Sequence, residues 1–207
     1  MGEGEAETEA ARCPQAAAKA GALMRIIGGL FRGRRLVAPK GRSARPTADR
    51  VRESLFNILA HGDAPPLAGA RVADLFAGTG AFGLEALSRG AAHVHFVEQA
   101  PQSLAALRTN VASLGLGGKS TILACDVRHL PEMPAPFDLV FLDPPYREGL
   151  IPVALAVLRR RSWIGAGSLI VAEAAQDEAL ALPEGFHLRK ARTIGPAQML
   201  FIGHAVG

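Results

Sequence analysis

The sequence predicts an α/β fold, a mostly parallel seven-stranded sheet with helices on both faces, preceded by a small basic N-terminal hairpin. Three observations predict it. From residue 71 onward short apolar runs alternate with stretches of helical periodicity, the pattern of βαβ units. A glycine-rich turn joins the first of those runs to the first helix. The 207 residues, 49% of them apolar, suffice for one sizeable core with a small appendage.

Residues 1–23 are rich in Ala, Glu and Gly and show no apolar periodicity, so they read as a disordered leader, with Met24 an alternative start. Their acidic opening is no secretory signal, and no apolar run nears the roughly 20 residues of a membrane span. Residues 24–62 form a second unit. Arg25-Ile26-Ile27 and Arg35-Leu36-Val37 flank a segment holding Gly28, Gly29 and Gly33, which suggests a hairpin. After the loop Pro39 to Pro46, Thr47 can cap a helix with Val51, Leu55, Ile58 and Leu59 on its apolar face. Residues 63–207 make the main domain. Strands are expected at Val72 to Phe76, Val94 to Val97, Thr121 to Cys125, Phe137 to Leu142 and Leu169 to Ala172. Helices are expected at Phe82 to Ser88, from Pro101 to near Gly115, and over about 150–160, with a closing hairpin from Phe186 to Ile194 and Met199 to Ile202.

Net charge is +4, and nearly all of the basic excess sits in one place. Residues 24–52 carry nine Lys and Arg against Asp49 alone, for +8, while the segments on either side each sum to −2. Such a run is the footprint of a polyanion-binding element, here nucleic acid, with Arg32, Arg34, Arg35, Arg45, Arg50 and Arg52 as candidate phosphate contacts. Cys13 and Cys125 lie far apart, in a tail and in an expected core strand. They suggest neither a disulfide nor a metal site, and the reading is a reduced, cytoplasmic compartment. The six histidines are scattered without i, i+4 pairing, so no metal is expected, and His93 and His95 read as packing or edge residues.

Two motifs carry chemistry. In Asp74 to Gly83 (DLFAGTGAFG), a glycine turn after the first strand allows close backbone approach to a ligand. Gly78, Gly80 and Gly83 also satisfy G-x-G-x-x-G, and Glu98 follows Gly78 by twenty residues, placed to hold ribose hydroxyls. That spacing alone fits NAD and S-adenosylmethionine equally. Asp143-Pro144-Pro145-Tyr146 tips the balance. Two prolines force the chain out of the sheet, so a fixed carboxylate and a fixed Pro144 carbonyl can accept both hydrogens of a base amine. Tyr146 can stack on a base drawn out of its helix. Asp126, at the end of the third strand, could accept from the cofactor's adenine amine or cap a helix.

Taken together, MRIIGGLFRGRRL (24–36), RPTADRVRESLFNIL (45–59), DLFAGTGAFGLEALSRGA (74–91), FVE (96–98) and FDLVFLDPPY (137–146) resemble the RsmD family. The family methylates N2 of a guanine in 16S ribosomal RNA. The resemblance runs over about residues 24–146 and implies a Rossmann-like class I methyltransferase fold. It implies S-adenosylmethionine held by Asp74, Ala77, Gly78, Gly80, Glu98 and Asp126, and a target base held by Asp143, Pro144 and Tyr146. The implied partner is ribosomal RNA, within the small subunit or an assembly intermediate, met by a monomeric enzyme. Three rival readings are a DNA adenine-N6 methyltransferase, for whose target-recognition region 207 residues leave little room, an NAD-dependent oxidoreductase, and a non-catalytic RNA-binding protein. Because residues 1–23 offer no core face, a chain starting at Met24 should unfold at the same temperature as the full chain. A large loss of stability would contradict this.

Overall fold

The computed structural model describes residues 24–39, 46–62, 64–178, 180–195 and 197–205. Five strands run parallel, β1 (Arg71–Leu75), β2 (His93–Val97), β3 (Ser120–Leu123), β4 (Leu139–Leu142) and β5 (Leu169–Ala175). Two more, β6 (Phe186–Ile194) and β7 (Ala197–His204), form an antiparallel hairpin whose second strand pairs antiparallel with β5. The single sheet therefore has the order β3-β2-β1-β4-β5-β7-β6. The order reverses between β1 and β4, and in open α/β sheets ligands bind at that reversal, outside the carboxyl ends of the strands.

Both faces are covered, which is why the central strands read as continuous apolar runs. Helices α1 (Pro46–His61), α2 (Ala81–Ser88) and α3 (Pro101–Ser113) share one core with the N-terminal hairpin, built on Val72, Val94, Phe141 and Val171. Helix α4 (Leu150–Arg160) and Trp163 pack on the other face, over Leu75, Val140 and Ile170. In α1, Val51, Leu55 and Leu59 face the core as expected, joined by Phe56, whose ring lies 5.7 Å from that of Phe141. That helix begins at Pro46, where a missing N–H costs nothing, so Thr47 stands inside it rather than capping it. Strand β3 ends at Leu123, two residues short of expectation, because the chain turns there into a short 3₁₀ helix, Val127–His129. Cys125 is consequently half-buried in a loop rather than in a core strand. His95 is a packing residue, set against Phe137 and Trp163, and burial pulls its imidazole down to about 4. No helix among the described residues is long and apolar enough to cross a membrane.

The N-terminal hairpin is minimal, a single bridge between Arg25 and Arg35 with Ile26 and Leu36 pointing into the core. So short a hairpin is marginal alone. Its stability comes from docking on α2. Glu85, with none of its side chain exposed, accepts from the backbone N–H of Ile27 and of Gly28, both at 2.7 Å. Ser88 accepts from Phe31 N at 2.9 Å. Gly29, at φ +74°, lies so close to the Ser88 carbonyl that a Cβ there would overlap it. Glu85 also pairs with Arg89 at 2.8 Å and lies 3.9 Å from the Arg52 guanidinium.

This corrects one expectation about the basic segment. Arg52 is 2% exposed and donates to the Arg25 carbonyl (2.6 Å) and to Asp49 (2.9 Å), so it holds the hairpin and α1 together instead of meeting phosphate. Arg32, Arg35 and Arg50 are exposed, and Arg34 is exposed while donating to the Ser113 carbonyl. Arg45 lies outside the described residues.

Removing the Glu85 carboxylate would strand the Arg89 guanidinium and two backbone donors at a buried seam and take the nearby charge away from Arg52. Glu85→Ala should destabilise the fold by about 3–5 kcal/mol, the cost of breaking a buried ionic network on one side. Glu85→Gln, which keeps one acceptor, should cost less. Denaturant unfolding measures both, and near wild-type stability of Glu85→Ala would contradict the role given to it.

Candidate functional site at the carboxyl ends of β1, β2 and β4

The turn after β1 is shaped by carboxylates acting on backbone N–H groups. Asp74, 1% exposed, accepts from Gly83 N at 2.9 Å and so ties the end of β1 to the first turn of α2. Glu98 accepts from Gly78 N (2.8 Å) through one oxygen, and from Gln99 N (2.8 Å) and Ala100 N (2.7 Å) through the other. It thereby fixes both the glycine turn and the entrance to α3. Ala77 N donates to the Val97 carbonyl at 3.0 Å, binding the turn to β2 as well.

The three glycines serve different ends. A Cβ on Gly80 (φ +82°) would sit 2.4 Å from Leu107 Cδ1, and one on Gly83 would sit 2.4 Å from Phe96 Cε1. Those two let helices pack tightly on the sheet. Gly78 (φ +57°) is different, since its Cβ would meet nothing nearer than the Phe76 carbonyl at 3.9 Å. Its bareness leaves open space above the turn, the cradle a ligand needs.

Charge is concentrated here. Complete burial pushes the Asp74 carboxyl well above the usual range, the Gly83 N–H opposes that, and the Asp143 and Glu98 charges raise it further. Asp74 on β1 therefore feels the carboxylates that follow the two neighbouring strands, Glu98 after β2 and Asp143 after β4.

Asp126, three residues beyond β3, caps the 3₁₀ helix and accepts from Arg128 N at 2.8 Å. The Arg128 side chain also grips it, at 2.9 Å through Nε and 2.6 Å through a terminal nitrogen. Those bonds pull its carboxyl down to about 2. Of the two readings open for Asp126, the helix cap is thus present in the structure.

Beyond β4 the chain leaves the sheet at Asp143, as the two prolines require. Asp143 is exposed and Pro144 buried, while Tyr146 is 42% exposed and donates its hydroxyl to Glu173 on β5. Arg147 (φ +61°) pairs with Asp177 at 2.8 Å. Asp143 and Glu173 line one depression together with Leu55, Phe82, Phe141, Leu142, Val171 and Met199. Its lining combines these two carboxylates with aromatic and aliphatic side chains. Glu173 was not anticipated, although its signal was present, an acid interrupting the apolar run LIVAEAA. Asn110 was missed too. Fully buried on α3, its amide accepts from Val37 N (2.7 Å) and donates to the carbonyls of Val37 and Thr79 (both 3.0 Å). It joins the hairpin's outgoing arm to the glycine turn, and Thr79 Oγ1 adds a second link to Met24 Sδ at 3.2 Å.

The structure thus brings Asp74, Ala77, Gly78, Gly80, Glu98 and Asp143 around one turn, with Tyr146 and Glu173 beside it and the exposed arginines on the hairpin docked against α2 and α3.

Comparison with known proteins follows the same lines. The Escherichia coli (strain K12) ribosomal RNA small subunit methyltransferase D is 38% identical over 173 residues, covering 83% of this chain and 85% of that protein. The protein of the same name from Haemophilus influenzae is 36% identical over 176 residues, 83% and 89% of the two chains. Among solved structures, yhhF from Escherichia coli superposes with a TM-score of 0.76 at 34% identity, over 89% of this chain and 99% of that one. The family model described as conserved hypothetical protein 95 matches residues 24–203, and with these relatives it establishes that the chain belongs to the RsmD family.

Proposed function

We propose that the chain is an S-adenosylmethionine-dependent methyltransferase that modifies the exocyclic N2 amine of a guanine in small-subunit ribosomal RNA. The observation that carries this reading is a glycine turn held by Asp74 and Glu98, near enough to the head of the Asp143–Tyr146 loop for the Asp143 charge to act on Asp74. A turn crowded by Asp74, Glu98 and Asp143 suits a ligand bearing positive charge and opposes the pyrophosphate of a dinucleotide. The names of the relatives support ribosomal RNA as the substrate rather than DNA.

S-adenosylmethionine, when bound, supplies an electrophilic methyl group on a sulfonium. The bare face of Gly78 fits such a group, and Ala77 and Gly80 complete the turn around it. One Glu98 oxygen takes a single N–H in the structure, so it keeps a lone pair for a ribose hydroxyl. Asp126, already anionic and held rigid by Arg128, would accept from the adenine amine.

The rest is the work of the base pocket. An exocyclic amine is a poor nucleophile because its lone pair is delocalised into the ring. The Asp143 carboxylate and the Pro144 carbonyl accept its two hydrogens, which localises that pair and directs it toward the methyl group. Tyr146 stacks on the base, its ring set by the bond to Glu173. Positioning and electrostatics do the catalysis, and no covalent enzyme intermediate is needed. The exposed Arg32, Arg34, Arg35 and Arg50 neutralise RNA phosphates.

Single-turnover methyl transfer to small-subunit RNA or its particle, with cofactor titration of each variant, tests this. Asp143→Ala should lower kcat at least ~10²-fold, as loss of one preorganised polar group does, while Asp143→Asn keeps an acceptor and part of the rate. Tyr146→Ala should weaken base engagement by ~1–3 kcal/mol. Near-normal turnover of Asp143→Ala overturns the catalytic assignment. Gly78→Val should abolish cofactor binding, and the wild type should bind S-adenosylmethionine and not NAD, the reverse preference overturning the reading. Affinity for the cofactor should fall on acidification, because protonating Asp74 removes a negative charge beside a cationic ligand. With its carboxyl raised, that loss should begin above the usual carboxylate range and vanish in Asp74→Asn. A cofactor affinity independent of pH in the wild type would contradict it.

A further inference from the structure

Strand β6 is the outer edge of the sheet, and its side chains from His187 to Lys190, with Arg192 and Thr193, are exposed. It carries Arg189, Lys190 and Arg192 and no acid. Regular alternation would send Arg189 and Lys190 to opposite faces. A bulge between Leu188 and Lys190 cancels that alternation. Lys190 pairs with Phe201 and Arg192 with Met199, both on the face that α1, α2 and the hairpin cover. Arg189 lies over Gly203, where a Cβ would meet its Nε at 2.4 Å, and Gly203 belongs to that same face. Arg189, Lys190 and Arg192 thus share the face of the basic N-terminal hairpin, at the opposite end of the sheet.

The register ties them to the site. Glu173 pairs with Met199, and Met199 pairs with Arg192. Asp143 follows Leu142, which pairs with Ala172, so it stands level with Glu173. Asp143, Glu173, Met199 and Arg192 therefore occupy one row across four strands, and the first three line the candidate base pocket. At about 4.8 Å between strands, Arg192 stands about 10 Å from Glu173 and about 15 Å from Asp143 along the sheet. Asp177, the nearest acid beyond β5 in sequence, is engaged by Arg147. The Arg192 guanidinium donates to the adjacent Ala191 carbonyl at 3.0 Å and stays exposed.

We propose that Arg189, Lys190 and Arg192 on β6 form a second RNA-phosphate site, which holds the backbone flanking the target base on the side of the pocket away from the hairpin. The proposal rests on the reading of the chain as an RNA methyltransferase. It gives the substrate two anchors, the hairpin arginines on one side and β6 on the other, with the extruded base between them. Contacts of this kind fix register without reading sequence.

The test uses the full chain, small-subunit ribosomal RNA as the probe, and affinity measured across a salt series. Lys190→Ala/Arg192→Ala should flatten the dependence of log affinity on log salt by about 1.4–1.8 units, the share of two phosphate contacts. Cofactor affinity and the melting temperature should not change, and Arg192→Lys, which keeps the charge, should restore its part of the slope. In the wild type, bound RNA should protect Lys190 from chemical acetylation, a readout that needs no variant. An unchanged slope, or Lys190 acetylated equally with and without RNA, overturns the site. Aggregation of the double variant at unchanged slope does so too, since it would leave these cations only the task of keeping an edge strand from pairing. A wild type that methylates RNA while the variant matches it refutes β6 alone. A wild type that neither binds nor methylates RNA refutes the underlying reading and the site with it.

Discussion

Glu85 holds a carboxylate out of water against Arg89, with Arg52 close by, and offers both oxygens to the backbone of a hairpin nearly sixty residues earlier in the chain. Neither half of that arrangement stands alone. A two-stranded hairpin with one bridge is too small to order itself, and a buried carboxylate without its guanidinium and N–H partners is strongly unfavourable. Together they mount the basic segment on the sheet and its helices in one orientation, and the exposed arginines inherit that orientation. Asn110 extends the mounting from the hairpin to the glycine turn. The position of the basic hairpin and the shape of the glycine turn are consequently parts of one packed unit.

The same device recurs at the site. Asp74 and Glu98 each have a carboxylate directed at backbone N–H groups, and each uses it to join a strand end to a helix start. The cost appears in the Asp74 carboxyl, which burial raises most and the Asp143 and Glu98 charges raise further. On the proposed reading, a cationic ligand at the turn would offset the Asp143 and Glu98 charges that act on Asp74.

The alternating pattern from residue 71, the glycine turn and the DPPY loop were legible because each depends on short stretches of chain. Buried parallel strands are continuously apolar, and two prolines end a strand wherever they occur. Arg52 was misread for the opposite reason. In sequence it is one more cation in a basic run, and only Glu85, thirty-three residues on, and the Arg25 carbonyl make it a buried strut. Glu173 and Asn110 stood out as polar residues in apolar surroundings, but their partners, Tyr146 and the Val37–Thr79 pair, are brought to them by the sheet order and not by sequence spacing. The β6 bulge leaves no mark in the sequence that alternation could detect. Asp126 carried two readings on local grounds, and only the course of the chain after β3 supplies its cap.

The account's central claim is that the Asp143 loop presents a guanine amine for methylation in small-subunit RNA. The most direct test maps the product by reacting the chain with labelled S-adenosylmethionine and small-subunit RNA or its particle, digesting the RNA to nucleosides and locating the label. The account predicts a single labelled position carrying N2-methylguanosine. Label on adenine N6, on a ribose or on a ring carbon, or transfer to DNA in preference to RNA, would contradict it.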